Sequence, residues 1–130
     1  MTTPRPAIVL VDRTDGIEPT LDRPRPDRLV AGNPLRRTWV LHEAGPMSTG
    51  VWECEVGRWR IVFPATRQEY FHVLCGRVRL HGPGGTTDIG PGQGGVIPPG
   101  FEGEFEVLEP VRKQFVLVDM PEPLAPSCSG

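Results

Sequence analysis

Between residues 51 and 63 the chain changes side-chain character at almost every step. Trp52, Cys54 and Val56 alternate with Glu53 and Glu55, and Trp59, Ile61 and Phe63 alternate with Arg58 and Arg60. Successive side chains of a strand point to opposite faces, so this pattern requires a sheet with one buried and one wet face. No stretch of the chain shows helical periodicity. Further short segments follow at residues 69–74, 77–80, 86–89, 103–108 and 111–119. Glycine and proline, 16 of each, fall mostly between these segments, where turns belong. The same two residues spread without pattern would signal disorder. About ten short strands joined by tight turns read as an all-β sandwich or barrel.

The spacing predicts a first strand at residues 7–11, then a polar arm over 12–27 that carries Pro19, Pro24 and Pro26 and hugs the surface. A short strand is expected at 29–31, a turn at Gly32-Asn33-Pro34, and a strand over 36–42 alternating around Trp39 and Leu41. Residues 45–50 read as a loop. Within 57–76, two strands join at 64–68 and close on a glycine turn at Cys75-Gly76, which opens a third strand over 77–81. Residues 90–95 form a glycine-rich bend; with no helix and no Lys-Ser/Thr after it, it is not a phosphate loop. The expected organisation is one domain: a strand and arm at 1–34, a barrel at 35–119 and a tail at 120–130.

Composition excludes several function classes. A net charge of −2 and the lack of a basic run argue against nucleic acid or an anionic membrane as partner. The apolar runs, such as 7–11, are too short to span a bilayer. The first residues lack the charged start and apolar stretch of a secretory peptide. Cys54, Cys75 and Cys128 have neither zinc-type nor redox spacing, which fits reduced thiols and a cytoplasmic location.

Two glycine-anchored patterns carry a resemblance. Gly57, Glu69 and Gly76 fall in the register of the first cupin motif, and Gly92, Pro98 and Gly100 in that of the second. With the local wording of residues 50–53, 74–80, 97–101 and 109–113, the chain resembles the small cupins grouped with the ureidoglycine aminohydrolase cupin domain, over residues 35–119. That resemblance implies a cupin-type jelly-roll β-barrel (a double-stranded β-helix), a site inside its mouth and a homodimer. The dimer would cover open sheet edges with residues 7–11 or the arm. The chain departs from the family at the metal ligands. Phe63 and Ala65 stand at the two histidine positions of the first motif; Gly103 and Val107 stand at the histidine and asparagine of the second. Only Glu69 remains. One carboxylate holds a divalent transition metal weakly, and His42, His72 and His81 lack ligand spacing. No metal and no cofactor are expected.

The candidate site follows from strand parity. In residues 111–117 the odd positions read Val111, Lys113, Phe115 and Leu117, the inward set. Lys113 then enters the barrel, where an ammonium needs a partner. Glu69, inward by motif register, is that partner, and the two form the candidate acid/base or anchoring pair. Trp52, Trp59, Phe63, Phe71 and Phe105 line the interior, where core and pocket wall coincide. The function expected is binding of a small organic molecule in the barrel without a metal. The alternatives are a metal-independent isomerase, epimerase or cyclase using Glu69 and Lys113, and a metal-dependent aminohydrolase-like enzyme.

Overall fold

A computed structural model of the protein describes residues 5–121. It is all-β, as the alternation predicts. The strands are β1 (Thr20–Asp22), β2 (Leu29–Ala31), β3 (Arg36–Ala44), β4 (Met47–Cys54), β5 (Gly57–Val62), β6 (Arg67–Gly82), β7 (Gly85–Ile89), β8 (Gly94–Ile97) and β9 (Glu102–Asp119). Every pairing is antiparallel. Among the described residues, no helix is long and apolar enough to cross a membrane.

Two strands belong to both layers. The first half of β6 and the second half of β9 pair with each other and with β8 and β4, giving a sheet ordered β1-β3-β4-β9-β6-β8. Their other halves pair with each other and with β7 and β5, giving β2-β5-β9-β6-β7. The two sheets curl around one interior as a jelly roll, which closes off most strand edges.

The corner between them corrects the expected turn at Cys75-Gly76. The chain does not reverse there; β6 runs on, with its register against β9 shifting between Val73 and Val78. Gly76 has φ +82°, and a Cβ on it would lie 2.1 Å from the Pro110 carbonyl oxygen. Gly76 thus supplies both the left-handed backbone and the missing side chain that this approach needs. Pro110, with no N–H to donate, interrupts the ladder beside it. The same geometry fuses the expected strands 103–108 and 111–119 into the single β9.

Three further expectations change. Residues 7–11 form no strand; the first strand is β1, inside the expected arm. Only Gly45 and Pro46 turn between β3 and β4, so most of the expected 45–50 loop is strand. In β3 the inward parity is the opposite of the one centred on Trp39. Thr38 pairs with Trp52 and faces inside, whereas Trp39 is buried on the outer face, its Nε1 donating to the Ile17 carbonyl at 2.8 Å. The N-terminal segment lies on that face: Gln114 Nε2 donates to the Val11 carbonyl, and Arg112 Nη2 to Thr14 Oγ1. A covered outer face tolerates a tryptophan. The tail falls almost wholly outside the described residues.

Candidate functional site

The interior is built by pairing registers. Lys113 of β9 lies between Trp52 of β4 and Val73 of β6, and two residues on, Phe115 pairs with Phe71. Glu69 sits on the same face of β6 as Phe71, two residues before it. Lys113 is 4% exposed, and its Nζ donates to Glu69 Oε2 at 2.7 Å. The ammonium lies 4.4 Å from the ring centroids of Trp52 and Phe71 and 4.9 Å from that of Phe105. The negative faces of those rings offset part of the hydration the charge has lost, and the carboxylate offsets more.

In front of the pair is a cavity of about 230 Å³. Trp52, Trp59, Phe63, Phe105, Glu69 and Lys113 all line it. Trp59 stacks on Phe105 at 5.2 Å and Trp52 meets the Phe105 ring edge-on at 5.6 Å. Phe71 stands behind: it is fully buried, closes the back of the ammonium cage, and lines a second cavity on its far side. Ile97 borders both spaces. Among the described residues the Glu69 Oε1 atom takes no hydrogen bond, and no buried polar side-chain atom lacks a partner. That oxygen is therefore open to the cavity.

Sequence reasoning missed Arg36 and Thr38, which also line the cavity. Arg36 lies over the Trp59 ring at 5.3 Å. Its Nε and Nη2 donate to Asp22 Oδ1 and Oδ2 at 2.9 and 2.5 Å. The available signal was the run Arg36-Arg37-Thr38, polar on both parities; only the pairing with β4 decides which parity turns in.

The donor set does not fit a cupin-type metal. Phe63 supplies an apolar wall. At Gly103, whose register partner is Ile61, a Cβ would lie 2.0 Å from the His81 carbonyl oxygen, so no histidine could stand there without parting two strands. Glu69 is engaged by an ammonium. His72 is on the outer parity of β6, and His81 Nε2 lies 2.8 Å from Glu106 Oε1. Among the described residues, no group of three His, Cys, Asp or Glu side chains could hold an ion. Buried Cys54 is a filler: desolvation pushes its thiol up to about 12, so it stays protonated and unreactive at neutral pH.

The profile of the EutQ-like cupin domain family matches residues 41–115. This chain belongs to that family. Solved structures agree on the fold of this EutQ-like cupin. A Pseudomonas syringae protein of unknown function from the DUF861 family superposes with a TM-score of 0.69 at 23% identity, over 77% of this chain and 44% of that one. The EutQ protein of Clostridium difficile gives 0.59 at 18% identity, over 67% and 64%. An ethanolamine utilization protein Q of Salmonella typhimurium gives 0.60 at 16% identity, over 80% and 98%. The EutQ-like cupin thus spans less than two thirds of the length of the first two. Comparison with curated proteins finds no match.

Proposed function

We propose that this EutQ-like cupin binds a small organic molecule in the barrel interior without a metal. The Lys113–Glu69 pair is its polar anchor, and Trp52, Trp59, Phe63 and Phe105 are its walls. The observation that carries this reading is the open Oε1 of Glu69, an unpaired acceptor on a residue that lines a largely apolar cavity. Sites of this kind combine apolar walls with a few fixed polar groups. A ligand offering an N–H or O–H to that oxygen should quench Trp52 and Trp59 fluorescence. Ile61→Trp, which fills part of the cavity, should weaken binding at least about tenfold. A ligand that binds Ile61→Trp with unchanged affinity, in protein of unchanged melting temperature, would place binding elsewhere.

The same pair favours a second reading, metal-independent proton transfer of the isomerase, epimerase or cyclase type. A carboxylate can take a proton from a substrate carbon while an adjacent ammonium stabilises the negative charge left on a neighbouring oxygen. The proton then returns to carbon from the Glu69 carboxyl group. Such chemistry washes deuterium from D2O into the substrate carbon, and Glu69→Gln should abolish it. Binding without wash-in, across ligands that carry an acidic C–H, would leave the first reading alone. A metal-dependent aminohydrolase of the ureidoglycine type finds less support, because Phe63 and Gly103 offer no donor.

A further inference from the structure

The mouth of the cavity continues into a groove of about 170 Å³ that shares Arg36, Trp59, Ile61 and Phe63 with it. Five arginines line this groove: Arg25, Arg28, Arg36, Arg60 and Arg67. They are scattered through the sequence and come together by strand pairing. Leu29 of β2 pairs with Trp59 of β5, and the Arg60 N–H donates to the Arg28 carbonyl at 2.8 Å, which sets those two residues side by side. Arg36, Arg25 and Arg67 have carboxylate partners in Asp22, Asp27 and Asp119, at 2.5, 2.8 and 2.9 Å. Arg28 and Arg60 have no ion-pair partner among the described residues. Of the five guanidiniums in the lining, three are held by carboxylates and two are not.

We infer that the groove holds the dianionic head of a phosphate monoester whose small apolar body enters the cavity. This rests on the proposed binding function and names its ligand class. A phosphate monoester carries nearly two negative charges at neutral pH, matching the two unpartnered guanidiniums, and arginine forks bind phosphate oxygens bidentately. Partnered Arg36 is fixed in place by Asp22 and joins the cationic groove to the aromatic cavity. The arrangement provides a charged end, an apolar end and one hydrogen-bond acceptor, Glu69, between two walls of rings.

Phenyl phosphate, phenol and inorganic phosphate test this by calorimetry at low ionic strength. Phenyl phosphate should bind at least about tenfold tighter than either fragment. Arg28→Gln/Arg60→Gln should weaken phenyl phosphate and inorganic phosphate by at least about tenfold and leave phenol unchanged. Arg60 is exposed and Arg28 half-buried, and neither is in an ion pair among the described residues, so the melting temperature of that variant should stay near the wild-type value. Thr38→Trp, at a residue that lines the cavity but not the groove, should weaken phenyl phosphate and phenol and spare inorganic phosphate. If phenyl phosphate binds no tighter than phenol, or the double glutamine variant retains it, the groove inference fails while cavity binding stands. If Thr38→Trp leaves phenyl phosphate untouched and the glutamines abolish it, the cavity reading fails and the groove remains a phosphate site. Vesicles of phosphatidic acid in phosphatidylcholine offer the same headgroup from a lipid. Sedimentation with them, without binding of phenyl phosphate, would overturn the proposal.

Discussion

Lys113→Met is expected to lower stability by about 3–5 kcal/mol, because it leaves a carboxylate buried without its cation. The Glu69 side chain is only 14% exposed, so water cannot replace the ammonium in full. Glu69→Gln should cost less, about 1.5–3 kcal/mol, the range for a hydrogen bond to a charged group. The three rings around Lys113 continue to stabilise its charge in that variant, and the glutamine oxygen can still accept from Nζ. The double variant Lys113→Met/Glu69→Leu should be milder than Lys113→Met alone, since a thioether among Trp52, Phe71 and Phe105 needs no partner. Urea melts read these differences directly, with the Lys113→Met midpoint falling by about 1 M or more. Costs of about 0–1 kcal/mol for both single variants would mean a solvated pair and would remove the buried anchor from the site.

Gly103→Ala should be at least as damaging, costing about 4 kcal/mol or more, the range reserved for core clashes and broken networks. The new Cβ would sit 2.0 Å from the His81 carbonyl oxygen and 2.7 Å from the Phe101 ring. The ring can rotate away. The carbonyl cannot, because it belongs to the β6 backbone paired against β9. It follows that histidines grafted at Phe63, Ala65 and Gly103 will not restore a cupin metal centre: the triple variant should be unfolded or hold far less than one equivalent of metal. Thermal melts and elemental analysis decide this. A folded Gly103→His protein of wild-type stability carrying stoichiometric metal would refute the argument.

What could be read from sequence was whatever depended on parity within one strand. The inward placement of Lys113, Trp59 and Phe105 needed only alternation, and that of Glu69 only the glycine spacing. What could not be read depended on neighbours. Gly76 and Pro110 look like strand terminators in isolation, yet facing each other across a ladder they make a bend that neither strand stops for. Trp39 looks like the inward residue of β3, but the N-terminal segment covers the outer face and turns Arg36 and Thr38 inside. Arg28 and Arg60 look like solvated surface charges. Their proximity arises only because β2 pairs with β5, a contact between residues about thirty positions apart.

The dual membership of β9 bears on how the molecule reaches this state. β4, β5 and β6 are each paired along one flank by a strand that emerges from the ribosome after them all. Until β9 arrives, β4 has only β3, β5 has only β2, and β6 has only the short β7 and β8. Loop closure must be completed over long separations before those contacts reward it. During synthesis the nascent chain therefore exposes several unsatisfied strand flanks at once, with Trp52, Trp59 and Phe71 uncovered beside them. The step that buries the ammonium also seals these flanks, because Lys113 enters the aromatic cage on the strand whose arrival completes both sheets.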